Sequence, residues 1–148
     1  MIAIGSDHGG YKLKEEVKKY LEEMEMEYKD YGTDSEERTD FPVYAKKVAE
    51  AIQNKECDKG ILICRTGFGM AIVANKFKGI RCAACYHEST VKQAKEHSNI
   101  NVLAIPADYA NISEAVKMIR MWLGSEFLGG RYEERLQMIE KIEEENMK

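Results

Sequence analysis

Five short apolar runs alternate with longer amphipathic segments along this chain. Between the runs, apolar residues recur at helical spacing, for example at Leu13, Val17 and Leu21. Strands that alternate with helices form a parallel sheet with helices on both faces. The pattern therefore predicts an α/β fold with a five-stranded parallel sheet, its strands near residues 1–5, 28–31, 61–64, 81–85 and 101–105. No linker or internal repeat divides the chain, so residues 1–148 are expected to form a single domain.

The segment 61–76 combines an apolar run, a turn with two glycines and an amphipathic stretch. This order predicts a buried strand that ends at Cys64, a tight loop, and a helix that begins near Ala71. Ligands of open α/β sheets bind beyond the carboxyl ends of the strands. Gly67 and Gly69 would let backbone N–H groups approach an anion there, and the amino end of the helix favours negative charge.

Cys64 is the first candidate for chemistry. A thiol next to a helix amino terminus has its thiolate stabilised, so it can act as a base or a nucleophile near neutral pH. The alternative is a structural cysteine at the end of an apolar strand, with glycines that only form the turn. The stretch by itself favours neither interpretation, because free cysteines are often buried without being reactive.

Composition narrows the class of protein. The chain has 148 residues, 44% of them hydrophobic and 32% charged, with a formal net charge of −4. These values favour one globular domain with no bulk attraction to nucleic acid. No apolar run has membrane-spanning length and no signal-peptide pattern is present, so we expect no membrane association. Four cysteines inside or beside apolar segments are typical of reduced thiols in a cytoplasmic protein.

The pair Cys82 and Cys85 is spaced as in metal-binding and redox motifs. Their apolar context favours a strand, in which residues three apart point to opposite faces of the sheet. One zinc ion would not reach both sulfurs in that geometry, and a redox pair is expected at a helix start instead. We therefore expect no metal site here.

Further polar candidates lie near strand ends. Asp7 and His8 follow the first strand, Thr66 follows Cys64, and His97 precedes the last strand. Loops after successive strands meet at one edge of a doubly wound sheet. If the topology places them so, His8 and His97 would both flank the Cys64 loop; otherwise each is an ordinary solvated histidine.

Arg131 and Arg135 lie four residues apart in the first turns of the last predicted helix. Cations there oppose the helix dipole at a cost of about 0.3–1 kcal/mol each when exposed. Glu133 and Glu134 are one possible compensation. A bound phosphate dianion, held by two guanidinium groups, is the other.

A series of short motifs extends over nearly the whole chain and, taken together, resembles one family. It is the family of sugar-phosphate isomerases that comprises ribose-5-phosphate isomerase B and the galactose-6-phosphate isomerase subunits. The motifs are Ser-Asp-His-Gly-Gly at 6–10, Glu-Arg-Thr-Asp-Phe-Pro at 37–42, Gly-Ile-Leu-Ile-Cys-x-Thr-Gly at 60–67, Ala-Asn-Lys at 74–76, Gly-Ile-Arg at 79–81, His97 with Asn-Val-Leu-Ala at 101–104, and Gly-Gly-Arg at 129–131 with Arg135.

The resemblance implies a Rossmann-like three-layer sandwich and an aldose–ketose isomerisation, with ribose 5-phosphate and ribulose 5-phosphate as the expected pair. It implies no metal or nucleotide cofactor. It also implies a homodimer, or a tetramer of paired dimers, whose active sites are shared between subunits.

The resemblance also assigns roles by matching positions. Cys64 would move a proton between C1 and C2 of the sugar, His97 would help to open the furanose ring, and Thr66 would assist proton transfer at the oxygens. The residues expected at the substrate are Asp7 and His8, the backbone of Arg65, Gly67, Phe68 and Gly69 around a cis-enediolate, Ser98 beside His97, and Arg131 and Arg135 at the phosphate. Backbone N–H donors at a developing enediolate charge are what such a reaction requires.

Three positions depart from the family pattern. Arg65 replaces a glycine, Ser98 replaces an asparagine, and Asp108 stands where the family commonly has a phosphate-binding arginine. We hypothesise that Arg65 enters the pocket and either contacts the phosphate or pairs with Asp108. Loss of a charged phosphate contact typically costs ~1.5–3 kcal/mol, which is enough to change the preferred substrate.

These departures leave alternative functions open. One alternative is an isomerase that acts on another pentose or hexose phosphate. Another is a relative that binds a sugar phosphate without turning it over. A flavodoxin-like or nucleotide-binding module is a further alternative, although the loop at 64–70 matches neither the P-loop nor the dinucleotide fingerprint.

Overall fold

Five parallel strands form one sheet in the computed structural model, which describes residues 1–147. The strand order is β2-β1-β3-β5-β4, which confirms the predicted five-stranded parallel sheet. The strands are β1 (Ile2–Ser6), β2 (Tyr28–Asp30), β3 (Lys59–Cys64), β4 (Cys82–Ala84) and β5 (Val102–Pro106). The helices are α1 (Tyr11–Glu23), α2 (Phe41–Gln53), α3 (Phe68–Ala74), α4 (Glu88–Ser98), α5 (Ile112–Gly124) and α6 (Arg131–Asn146).

The register aligns the carboxyl ends of the three central strands. Ser6 of β1 pairs with Ile63 of β3, and Cys64 pairs with Pro106 of β5. The chain moves outward from β1 to β2 and then returns past β1 to β3. The boundary between β1 and β3 is therefore the topological switch point, where open α/β sheets bind ligands.

The sheet separates two apolar clusters. Residues from β1, β3 and β5 alternate between them, with Ile61 and Ile63 on one face and Leu62 and Cys64 on the other. Helices α1, α4 and α5 cover the first face, where Trp122 donates a hydrogen bond to the Ile100 carbonyl at 3.1 Å. Six of the thirteen buried residues on the second face, under α2 and α3, are alanines. Small side chains bring these two helices close to the strand ends.

Some element boundaries differ from the sequence prediction. Helix α3 begins at Phe68 instead of near Ala71, because Gly67 already adopts a left-handed conformation with φ +79° and ends the loop. Helix α4 begins at Glu88, with His87 as its capping residue, and continues to Ser98.

A buried lysine ties α1 to the end of β2, and the hydrophobic pattern did not predict it. The Lys14 side chain is fully buried, and its Nζ lies 2.6 Å from Asp30 Oδ2. Burial raises the pKa of the Asp30 carboxyl, but hydrogen bonds from Lys14, Lys18 and the Gly32 N–H outweigh it, so this pKa lies below its ordinary value. Gly32 in turn accepts a hydrogen bond from the Ser6 amide, which links this network to the end of β1.

No helix within residues 1–147 has the length and apolar character needed to cross a membrane.

Gly10 provides a test of how closely α1 approaches the central strand. A Cβ atom there would lie 2.4 Å from the Ile63 carbonyl oxygen, whereas a Cβ at Gly124 would meet no atom within 4 Å. We expect Gly10→Ala to lower the free energy of unfolding by about 1–3 kcal/mol, because the backbone must shift to accept the methyl group. Gly124→Ala should be neutral or stabilising by up to about 1 kcal/mol. Urea unfolding of both variants measures the difference, and equal stability would contradict this account of the packing.

Candidate active site

Cys64 ends β3 and faces the turn that starts α3. Its side chain is buried, and its Sγ accepts a hydrogen bond from the Gly67 N–H at 3.1 Å. The positive φ of Gly67 turns this amide back towards the sulfur, a conformation that is costly for other residues. Thr66 lies inside the same turn, where its Oγ1 accepts a hydrogen bond from the Phe68 N–H at 3.2 Å. The thiol, the hydroxyl and the loop amides are thus brought together, as the sequence predicted.

Asp7 and His8 lie at the same edge, one strand away. Asp7 is buried and its Oδ1 accepts a hydrogen bond from the Gly10 N–H at 3.1 Å, which closes the turn before α1. His8 Nδ1 lies 3.1 Å from the Thr39 carbonyl oxygen and 3.2 Å from the Thr39 nitrogen. Both residues follow β1, which pairs directly with β3. Their predicted proximity to the Cys64 loop is confirmed.

Arg65 and Asp108 form an ion pair across the same edge, with 3.8 Å between Nη1 and Oδ1. The Arg65 carbonyl also accepts a hydrogen bond from the Asp108 N–H at 2.9 Å, because β3 and β5 end side by side. The aliphatic part of Arg65 lies over Gly9, where a Cβ would approach Arg65 Cγ to 2.7 Å. The pairing expected from the sequence is present. With side chains 64% and 46% exposed, it contributes at most about 1 kcal/mol to stability.

His97 lies at the opposite edge of the sheet, and the expectation that it flanks the Cys64 loop is wrong within one chain. Helix α4 runs antiparallel to the strands, so its last turn, with His97 and Ser98, lies near the amino end of β5. Strand β3 alone separates the two edges by about 16 Å at roughly 3.3 Å per residue. Its position directly before β5 already places His97 at this edge, because the chain enters every strand of a parallel sheet at the amino edge.

Tyr132 of α6 joins His97 to the two candidate phosphate-binding arginines. The His97 and Tyr132 rings are stacked, with centroids 4.4 Å apart and 5° between their planes. The guanidinium carbons of Arg131 and Arg135 lie 5.1 Å and 5.6 Å from the centre of the Tyr132 ring. We call these four residues the cationic cluster. Both arginines are exposed, so the cluster is open to an anionic ligand.

Glu133 and Glu134 lie in the first turn of α6, where negative charge offsets the helix dipole, but within residues 1–147 they do not pair with the arginines. Neither glutamate forms an ion pair with Arg131 or Arg135 in the described part of the chain. A hydrogen bond to Tyr132 instead raises the pKa of the Arg131 guanidinium, which stays charged. Ser98 lies beside this region, at the wall of a groove of about 440 Å³ between α4 and α6.

Cys82 and Cys85 lie on opposite faces of the sheet, as predicted. Cys82 packs with the cluster under α2 and α3, and Cys85 packs with the cluster under α1 and α5. Burial raises the pKa of both thiols, so both remain protonated at neutral pH.

Sequence reasoning missed Tyr86, which contacts the Cys64 loop. Its hydroxyl donates a hydrogen bond to the Thr66 carbonyl oxygen at 2.7 Å. Its ring packs against Phe68 and Tyr109, with centroid distances of 5.8 Å and 5.4 Å. The only available signal was an aromatic residue directly after β4, where loops reach the ligand-binding edge.

Comparison with known proteins places this geometry in a family. The model of the family described as Ribose/Galactose Isomerase matches residues 2–139. Ribose-5-phosphate isomerase B of Escherichia coli is 43% identical over 143 residues, which cover 97% of this chain and 96% of that protein.

Solved structures agree with that match. Ribose-5-phosphate isomerase B of Clostridium thermocellum superposes with a TM-score of 0.95 at 42% identity, covering 97% of each chain. The Mycoplasma genitalium ribose-5-phosphate isomerase B with bound ribulose-5-phosphate gives a TM-score of 0.93 at 35% identity, covering 98% of this chain and 97% of that one. The chain therefore belongs to the ribose/galactose isomerase family.

Proposed function

We propose that the protein is an aldose–ketose isomerase that interconverts ribose 5-phosphate and ribulose 5-phosphate. The observation that carries the proposal is the Cys64 thiol, which faces the Gly67 N–H inside a glycine turn at the switch point of the sheet. Relatives named ribose-5-phosphate isomerase B cover nearly the whole chain, and one of them was solved with ribulose-5-phosphate bound.

The proposed reaction moves one proton between adjacent carbons. The Cys64 thiolate takes the proton from C2 of the open-chain aldose, and the electron pair moves to O1 to give a cis-enediolate. The Cys64 thiol then returns a proton to C1, while the proton of the O2 hydroxyl passes to O1 with help from Thr66. No proton is gained or lost overall. A general base positioned in this way typically contributes 10²–10⁴-fold to the rate.

Backbone donors of the same turn would stabilise the negative charge of the intermediate. The first N–H groups of a helix have no acceptor within that helix. In α3 they begin with Phe68, whose N–H donates a hydrogen bond to Thr66 Oγ1, and continue with Gly69 and Met70. Fixed donors of this kind stabilise an oxyanion without reorganisation during the reaction. Asp7 and His8 would hold the sugar hydroxyl groups from the neighbouring loop.

The cationic cluster would act from a second subunit. Within one chain it lies at the amino edge of the sheet, whereas Cys64 lies at the carboxyl edge. The length of the strands between these edges exceeds that of a five-carbon sugar phosphate. In a homodimer, Arg131 and Arg135 of one subunit would bind the phosphate of a sugar whose C1 and C2 lie at the other subunit's Cys64. The two groups would then reach the same substrate. His97 would arrive with them and assist ring opening. Pairing of such dimers would give a tetramer.

Exposed apolar side chains support subunit contact. Phe68 and Ile72 lie four residues apart on α3 and are 56% and 62% exposed. Ile139 and Ile142 on α6 are exposed as well. Exposed apolar side chains that are neighbours on a helix surface, as Phe68 and Ile72 are, are typical of an interaction site.

Arg65 is the reason for retaining a second substrate class. It pairs with Asp108. The resemblance to the family implies a glycine at position 65 and a phosphate-binding arginine at position 108. An arginine at position 65 would bind the phosphate from a different direction, which would favour another pentose or a hexose phosphate. A panel of pentose and hexose phosphates, assayed for isomerisation, separates these substrates. Binding without turnover of any of them would identify a non-catalytic relative.

Cys64→Ala should lower kcat for ribose 5-phosphate by about 10²–10⁴-fold, because the proton-transferring group is removed. Cys57→Ala is the matched control. Cys57 is also buried in the apolar cluster under α2 and α3, but its sulfur lies beside the Tyr31 hydroxyl and not in the glycine turn. The Cys57→Ala variant should keep kcat within about threefold of the original protein. Formation of ribulose 5-phosphate is the measurement. A fully active Cys64→Ala variant would exclude the proposed base.

Subunit sharing predicts complementation between two inactive variants. Cys64→Ala is mixed with a variant that carries both Arg131→Ala and Arg135→Ala, and subunits are exchanged through mild urea. Half of the dimers should be mixed, and each mixed dimer has one intact site, so about a quarter of full activity should return. A mixture no more active than its parents, with subunit exchange verified by mass, would show that each site comes from a single chain.

Arg65→Gly should raise KM for ribose 5-phosphate roughly 10- to 100-fold if Arg65 contacts the phosphate, the loss expected for one charged hydrogen bond. Asp108→Asn is the matched control, because it frees Arg65 from its ion pair and should leave KM unchanged or lower. Initial-rate kinetics on both variants measure KM for ribose 5-phosphate and show whether Arg65 contributes to substrate binding. An unchanged KM for Arg65→Gly would remove the phosphate contact from the proposal.

A further inference from the structure

The peptide unit between Thr66 and Gly67 carries two hydrogen bonds of the site. Its carbonyl oxygen accepts from the Tyr86 hydroxyl at 2.7 Å. Its N–H donates to Cys64 Sγ at 3.1 Å. Because a peptide unit is planar, the direction of its carbonyl fixes the direction of its N–H. Tyr86 is therefore connected to the sulfur through one rigid group.

This peptide unit needs an external support. It precedes a glycine at φ +79°, and glycine populates positive and negative φ about equally. Rotation of the plane would turn the N–H away from Cys64 and leave the sulfur without that donor. The Tyr86 hydroxyl opposes the rotation. By polarising the carbonyl, it also strengthens the N–H as a donor, since hydrogen bonds in series are cooperative.

Tyr86 is itself held in place and stays a donor. The rings of Phe68 and Tyr109 both pack against its ring. Burial raises the pKa of the Tyr86 phenol, and nearby Tyr109, Cys64 and Asp108 raise it further. With this raised pKa the phenol keeps its O–H at neutral pH. Tyr86 therefore remains the donor in the hydrogen bond to the Thr66 carbonyl.

We propose that Tyr86 is a positioning residue that sets the reactivity of the Cys64 thiolate by orienting the Thr66–Gly67 peptide. It does not touch the sugar. Its effect on turnover rests on the proposed isomerase function, whereas its effect on the thiol does not.

Tyr86→Phe tests this role, because the ring and its stacking remain and only the hydroxyl is lost. The rate of Cys64 alkylation by iodoacetamide is followed against pH by peptide mass spectrometry. The curve of the variant should move to higher pH by about half a unit or more, which is roughly threefold slower alkylation at neutral pH. In the isomerase assay, kcat should fall about threefold or more while KM stays within about twofold.

Tyr109→Phe is the matched control, since it removes the hydroxyl of a ring that packs against Tyr86 but keeps the hydrogen bond from Tyr86 to Thr66. Its alkylation curve should coincide with that of the original protein. Hydrogen exchange at the Gly67 amide provides a second readout, which should accelerate in Tyr86→Phe only.

A Tyr86→Phe curve that coincides with the original, or an equal displacement in Tyr109→Phe, would overturn the proposal. So would a Tyr86→Phe chain that fails to fold, because the hydroxyl would then serve stability in general. A displaced alkylation curve in a protein that isomerises no sugar phosphate would support the role of Tyr86 and refute the isomerase function.

Discussion

Strand β3 is buried on both faces from Gly60 to Cys64, so its backbone groups must find partners in β1 and β5. That requirement fixes the register and brings the ends of three strands to one level. The loops after them then meet at one edge, where Asp7, Cys64 and Asp108 are neighbours although they lie far apart in sequence. The position of the reactive side chains thus depends on backbone hydrogen bonds between β3 and its two neighbouring strands, in which those side chains take no part.

The local part of this arrangement was predictable from the sequence. An apolar run followed by two glycines predicts a strand, a turn and a helix, and the Gly67 conformation is the one that such a turn requires. The proximity of Arg65 and Asp108 followed as well, because neighbouring parallel strands end together. The separation of Cys82 from Cys85 needed only the alternation of side chains along a strand.

Other features depend on tertiary structure that a linear pattern does not carry. His97 stacks on Tyr132 of α6 at the far edge of the sheet, a partner that its position before β5 does not reveal. Lys14 occupies a buried position that polarity alone assigns to the surface, and only the position of Asp30 explains it. The position of Tyr86 after β4 indicates its edge of the sheet, but its partner Thr66 comes from a distant segment and was not evident beforehand. In each case a residue from a distant segment determines the outcome.

Helix α3 has seven residues, too few for independent stability, and it depends on α2 for its position. The contact is close at Gly69, where a Cβ would come within 2.6 Å of the Phe41 ring. Side chains of α2 therefore help to place the turn around Cys64. A mutation in α2 that moves the Phe41 ring would displace this turn through packing alone, and the thiol of Cys64 and the hydroxyl of Thr66 would move with it.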